Sequence, residues 1–191
     1  MAGRPKNSTV ARLPITRNLH IDLLDYIKIN VVKNSVHSKL LRAYTILHHT
    51  GMRASELLQL DSEMILDAME TGKFSLDNST KTKKTRLIML SKTGIAEFKE
   101  LFGMELNRDE YEKIFKSTAG GLIRLLNTHI KENLGGLYSS HSYRQGYITD
   151  LLKVAPASRV SKLVGHCNVQ TTLRYDYSSE SDMLDVLEMV R

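Results

Sequence analysis

The sequence predicts a mostly α fold with a small antiparallel β-sheet. Apolar residues recur at three- and four-residue spacing along most of the chain, and one stretch, residues 73–91, switches to alternation. Glycines and polar clusters fall where one periodic stretch gives way to the next. No internal repeat or low-complexity tract breaks the pattern, and 191 residues suffice for one domain with a real core.

Residues 1–18 contain Pro, Gly, Ser and Thr without a sustained apolar period, and are expected to form a flexible basic arm ahead of a domain over 19–191. Leu19 to Val32 is expected as a helix with Leu23, Leu24 and Ile27 inward. Asn34-Ser35 offers an N-cap for a second helix over 36–49, with Leu40, Leu41, Tyr44, Leu47 and His48 at helical spacing. Gly51 ends that helix at C′. Arg53 then stands at the turn into a helix over 54–60, where a side chain can leave the core and face a ligand.

Lys73-Phe74-Ser75-Leu76 alternates, the polar run Asp77 to Lys83 turns, and Thr85 to Leu90 returns as a second strand. Helices are expected over 92–103, 108–116, 119–133, 140–153, 157–165 and 169–176. A capping-box pattern, Ser179-Glu180-Ser181-Asp182, precedes Met183, Leu184, Leu187 and Val190 and predicts a last helix over 179–191.

No apolar run approaches the eighteen or so residues of a membrane span, so no membrane partner is expected. The first 21 residues carry Arg4, Lys6, Arg12 and Arg17 without an acid, as organellar transit peptides do, but Pro5 and Pro14 interrupt the helix such a peptide needs. The absence of a 7–15-residue apolar core there speaks against a secretory signal. A single cysteine, Cys167, excludes an internal disulfide and fits a reducing, cytoplasmic setting. His48 and His49 are adjacent and point about 100° apart on a helix, so neither they nor any other cluster has metal-ligand spacing. No metal or cofactor is expected.

Charge is unevenly placed. Residues 1–40 hold seven Lys/Arg against two Asp, while the remaining 151 residues hold 20 basic against 19 acidic. A basic arm on a nearly neutral body suits a polyanion, because neutralised phosphates release counterions; a solvated tail has the same composition.

Three short motifs carry chemistry: Thr50-Gly51-Met52-Arg53-Ala54-Ser55-Glu56-Leu57, His141-Ser142-Tyr143-Arg144, and Val164-Gly165-His166 with Tyr175 nine residues beyond the histidine. Phosphoryl transfer needs an in-line nucleophile, cationic donors on the non-bridging oxygens and an acid for the leaving oxygen. Arg53 and Arg144 supply planar, permanently charged forks. His141 and Arg144 are three apart and share a helix face. A tyrosine phenol has a pKa near 10, so Tyr175 as nucleophile needs a cationic pocket and a proton acceptor. Clustered Arg53, Arg144, His141 and His166 would provide such a pocket.

In this order the motifs resemble those of the tyrosine recombinase (phage integrase) family, mechanistic relatives of type IB topoisomerases. Thr50 to Leu57 is similar to the first arginine box, His141 to Arg144 to the His-x-x-Arg box, and Val164-Gly165-His166 with Thr171-Thr172 and Tyr175 to the Leu-Gly-His box and its tyrosine. The likeness covers about residues 36–177 and implies the tyrosine recombinase catalytic-domain fold. It also implies a lysine on a β-hairpin; aligning Arg86-Leu87 with the start of the second strand places it at Lys81, with Lys83 in reserve. Departures are Gln145 after Arg144 and Val164 in place of leucine, neither of which touches the chemistry.

The resemblance implies a site-specific recombinase acting on double-stranded DNA. Tyr175 would form a 3′-phosphotyrosyl link, Arg53, Arg144 and His166 would stabilise the phosphorane, His141 would assist proton removal, and Lys81 would protonate the 5′-oxygen. Tyr177 is a competing nucleophile, misplaced by two residues or about 200° on a helix. Relatives often carry an N-terminal clamping domain of roughly a hundred residues, for which this chain has no room; in size it is similar to fimbrial-type DNA inversion recombinases. A homotetramer on DNA, linked by residues 179–191, and an accessory DNA-bending protein are expected partners. The alternatives are a catalytically silent, sequence-specific DNA-binding protein and a nicking-closing topoisomerase-like enzyme.

Overall fold

The apolar spacing of residues 17–50 is realised as two packed helices, α1 (Arg17–Ile29) and α2 (Ser35–Thr50). The computed structural model describes residues 12–29, 35–77, 85–103, 106, 111–166 and 168–176. Residues 1–11 of the expected arm, Asn34, Lys81, Lys83, Cys167, Tyr177 and the helix over 179–191 lie outside the described residues. Leu23 and Ile27 of α1 and Leu40, Tyr44 and Leu47 of α2 are buried, as their spacing predicts. Within the stretch expected as an arm, Ile15 is buried and its N–H donates to the Ser142 carbonyl at 3.0 Å.

After α2 the chain makes a tight 3-10 turn (Glu56–Gln59), shorter than the helix expected over 54–60. It is followed by α3 (Ser62–Thr71), which the expected elements omit. Its ends are nonetheless encoded: the Asp61 carboxylate accepts the Met64 N–H at 3.0 Å, and Gly72 closes the helix at φ 72°. Strands β1 (Lys73–Leu76) and β2 (Arg86–Met89) form the antiparallel pair, with Leu76 opposite Arg86 and Phe74 opposite Ile88. Phe74, Leu76, Arg86 and Ile88 face inward while Leu87 and Met89 face out.

The rest is helical, as expected: α4 (Lys92–Phe102), α5 (Ala119–Leu134), α6 (Ser140–Leu152), α7 (Ala157–Val164) and α8 (Val169–Leu173). Ser91 caps α4 through the Gly94 N–H at 3.1 Å, and Thr118 caps α5 through Gly121 at 3.1 Å. One expected helix is contradicted. Over its described part, residues 111–116 are not helical, and Lys113 bridges antiparallel to Asp61. The backbone groups a helix would satisfy internally are used across the chain instead, Ser62 N–H to Glu112 at 2.9 Å and Ile114 N–H to Leu60 at 3.1 Å. Tyr111 and Lys113 both reach the Asp61 carboxylate, and Phe115 enters the core. Tertiary pairing outweighs local propensity there.

The main core joins α1 to α5, the sheet and Tyr143; a smaller one gathers Ile148, Val160 and Val164 with Tyr147, Leu151 and Tyr175. Helix α6 contributes to both, and it packs on α2, α5 and α7. Its approach to the 12–16 segment depends on Gly146, where a Cβ would stand 2.1 Å from the Ile15 carbonyl oxygen.

Between α1 and α2 the His20 ring stacks on His48 at 3.9 Å, and its Nδ1 shares a 3.1 Å hydrogen bond with the Tyr143 hydroxyl. Burial, then the neighbouring His48 and His49, pushes His20 down to about 2; burial and His49 push His48 down to about 4. Both are neutral in the fold, whereas in the unfolded chain they titrate near 6.5. Below that pH the unfolded chain binds protons the fold refuses, so stability falls as pH drops from about 6.5 toward 4. Between pH 7 and 5 His20 alone should cost about 2 kcal/mol. Thermal denaturation across that range should show a falling Tm, with a shallower slope in His20→Gln; a slope unchanged by the substitution would refute the assignment.

Candidate active site

Helix α2 ends because Gly51 takes the left-handed conformation, φ 59°, which residues with a Cβ rarely adopt. A Cβ there would also lie 2.2 Å from Cδ1 of Tyr147. Two residues later Arg53 leaves the core, its side chain 44% exposed. Glu56 holds it at both ends: the Arg53 backbone N–H donates to Oε2 at 2.7 Å, and Nη1 donates to Oε1 at 2.9 Å. The same carboxylate accepts Nη2 of buried Arg86 at 2.8 Å.

Helix α6 begins with Ser139, whose N–H donates to Ser142 Oγ at 3.1 Å, and the Ser140 N–H donates to Asn127 Oδ1 at 2.8 Å. This start places His141 and Arg144 in the first two turns. Arg144, 1% exposed, donates through Nη1 to the Gly51 carbonyl and through Nη2 to the Val164 carbonyl, each at 2.7 Å. Arg86 donates to the same Val164 oxygen. Three arginines from three parts of the chain are therefore laced through one carboxylate and two backbone carbonyls.

Helix α7 ends at Gly165, φ 69°, where a Cβ would stand 2.6 Å from Arg86 Cδ. His166 follows, and Asn168 starts α8 by accepting the Gln170 N–H at 2.9 Å. Tyr175 leaves the last turn half-buried on the smaller core. Its hydroxyl stands 3.3 Å from His141 Nε2, and its ring lies 6.2 Å from that of His166 at an interplanar angle of 21°.

The structure thus brings together Arg53, His141, Arg144, His166 and Tyr175, five of the six residues predicted for the site; Lys81 lies outside the described residues. The positive charge resides in the arginines. Burial, then Arg53 and Arg86, holds Arg144 down to about 10, which leaves it charged at neutral pH. Burial, then Arg144 and Arg53, lowers His141, and the same causes push His166 down to about 4. At neutral pH His166 is an uncharged hydrogen-bonding ring, and His141 is biased the same way, which suits it to accept a proton from Tyr175.

Sequence reasoning used Arg86 as an alignment mark and missed its place in the site. A signal was available: Arg86 has the same parity as inward Ile88, so an inward strand position carries a guanidinium while Leu87 and Met89 face out. Among the described residues, no group of three or more His, Cys, Asp or Glu side chains is placed to hold a metal ion. Glu56→Ala leaves Arg86 buried without its carboxylate and should cost about 3 kcal/mol in urea unfolding. A loss below about 1 kcal/mol would mean that the carboxylate is not what holds the arginines.

The model of the phage integrase family matches residues 17–181. A "probable integrase/recombinase protein" of Methanocaldococcus jannaschii is 25% identical over 175 residues, covering 83% of this chain and 52% of that protein. The chain thus spans about half the length of this curated relative. Among solved structures, XerA recombinase superposes with a TM-score of 0.67 at 14% identity, covering 99% of this chain and 67% of that one. XerH recombinase bound to its difH substrate gives 0.63 at 22% identity, covering 97% and 56%. The catalytic domain of bacteriophage HP1 integrase gives 0.60 at 20% identity, covering 93% of this chain and 94% of that one.

Proposed function

Because the chain belongs to the phage integrase family and has the fold of tyrosine recombinase catalytic domains, we propose that it is a site-specific recombinase that cleaves and rejoins double-stranded DNA through Tyr175. The observation that carries this reading is the Tyr175 hydroxyl 3.3 Å from His141 Nε2, beside His166 and the arginine cluster.

In the cleavage step the Tyr175 oxygen attacks the scissile phosphorus, the phosphorus–O5′ bond breaks, and the phenolic proton passes to His141 Nε2. The products are a 3′-phosphotyrosyl link and a 5′-hydroxyl. A guanidinium has five N–H donors. Arg144 spends two on Gly51 and Val164, and the remainder are the ones it can offer to a non-bridging phosphate oxygen. Arg53, at the exposed rim, adds a second fork on the side held by Glu56. Both arginines stabilise charge that grows in the transition state, and their fixed orientation spares reorganisation. Lys81 is the donor to the departing 5′-oxygen. Rejoining is the reverse, with a 5′-hydroxyl of a second strand attacking the phosphotyrosine. The ester exchange keeps the phosphodiester energy, so no ATP is consumed. DNA-bound relatives such as XerH on difH support duplex DNA as substrate. Assembly of four copies on two duplexes and help from a DNA-bending protein belong to the same proposal.

Covalent trapping tests the reading. Nicked, end-labelled duplexes from the DNA around the chain's own gene should yield an SDS-stable, protease-sensitive adduct. Tyr175→Phe should abolish it while keeping most DNA affinity. Specific binding without any adduct would instead mark a silent DNA-binding protein, and relaxation of supercoils without sequence dependence a topoisomerase-like enzyme. For the leaving group, a 5′-phosphorothiolate substrate should rescue Lys81→Ala but not Arg53→Ala. Absence of selective rescue moves the role to Lys83.

A further inference from the structure

We infer that Thr172 is a positioning residue: its hydroxyl donates to His166 Nδ1, which fixes the ring proton on Nε2 and directs that N–H toward the phosphate. The inference deepens the recombinase reading, from which the phosphate is taken, but its first half stands on the protein alone.

Thr172 is completely buried, and its Oγ1 lies 2.8 Å from His166 Nδ1. A neutral imidazole has one donor nitrogen and one acceptor nitrogen, so this bond decides the tautomer. If Nδ1 carried the hydrogen, the threonine oxygen would accept it, and the hydroxyl hydrogen would need another acceptor. Among the described residues the hydroxyl has no other hydrogen-bond partner, and burying an unsatisfied donor is costly. Donation from Thr172 to Nδ1 satisfies both groups. The ring stays neutral at physiological pH because burial and the neighbouring arginines push it down to about 4.

The rest of His166 is held just as firmly. Its N–H donates to the Ser161 carbonyl at 2.9 Å, and its own carbonyl accepts the Ser161 hydroxyl at 3.1 Å. With the backbone clamped and Nδ1 occupied, Nε2 is the nitrogen left for a ligand. Thr172 also accepts the Tyr175 N–H at 3.0 Å through its carbonyl. One buried residue therefore sets the ring of His166 from its side chain and the start of Tyr175 from its backbone.

The test is the histidine tautomer in the full chain, read by long-range proton–nitrogen correlation on protein with 15N-labelled histidine at pH 7. Wild type and Thr172→Ser should show His166 with protonated Nε2 and a hydrogen-bonded, unprotonated Nδ1. In Thr172→Val, nearly isosteric but lacking the hydroxyl, the Nδ1 resonance should move to that of an unbonded acceptor. Covalent adduct formation should fall about tenfold or more in Thr172→Val, with Thr172→Ser restoring most of it. A wild-type His166 protonated on Nδ1 would overturn the proposal, and that spectrum decides even if Thr172→Val does not fold. An Nδ1 resonance indifferent to the valine would overturn it equally. If no DNA yields an adduct in wild type, the recombinase reading fails while the spectra still decide the hydrogen bond.

Discussion

Everything at the site hangs on how three arginines are held close together without being neutralised. Arg53, Arg86 and Arg144 repel one another, and burial adds to the cost of charging Arg86 and Arg144. Against them, among the described residues, stands the Glu56 carboxylate. The remaining compensation comes from the Gly51 and Val164 carbonyls. Gly51 lies one residue beyond α2, whereas Val164 is the last residue of α7 and its oxygen is one of the carbonyls at a helix C-terminus. Such carbonyls lack intrahelical partners and sit at the negative end of the helix dipole. Arg144 thereby ties two helix ends to α6, satisfying orphan acceptors and lowering its own desolvation cost in one geometry. Among the described residues the cluster keeps an excess of positive charge, which suits an anion.

That arrangement explains what two glycines contribute. Gly51 and Gly165 both adopt positive φ directly beside the carbonyls that bind arginine. Each also sits where a side chain would displace a neighbour, Tyr147 at Gly51 and Arg86 at Gly165. The sharp turns aim the carbonyls at the guanidinium groups and release Arg53 and His166 toward the site within three residues of each helix end. Position and charge compensation therefore share one backbone feature.

This is also why the site was more legible in the sequence than parts of the fold. Gly51 before Arg53 and Gly165 before His166 are local signals, and the nine-residue interval to Tyr175 is one short helix with its cap. Helical periodicity likewise exposed α1, α2 and α4 to α8. Residues 111–116 misled because their pattern suits a helix, while the partner that wins, residues 60–62, is fifty positions away. Helix α3 escaped notice although Asp61 and Gly72 bracket it. Arg86 was hidden for a related reason: an inward arginine on a strand makes sense only once Glu56 and Val164 are known to meet it. Non-local pairing is what a one-dimensional reading cannot count.

The protonation states assign the work within the site. Sequence reasoning treated the histidines as part of a cationic pocket; burial and the adjacent arginines drive both toward the neutral form instead. The separation is chemically useful. A guanidinium never releases its proton near neutral pH, so the positive field of the cluster does not vary with conditions. An uncharged His141 keeps a ring nitrogen lone pair, which a protonated ring would lack, and its Nε2 stands 3.3 Å from the Tyr175 hydroxyl. An uncharged His166 offers one N–H in a fixed direction and adds nothing to the repulsion among the arginines. Were either histidine charged in the resting protein, the cluster would carry a further cation for Glu56 and the backbone carbonyls to offset. Neutral imidazoles therefore ease the packing of the arginines, and the same neutrality leaves an uncharged ring beside the tyrosine.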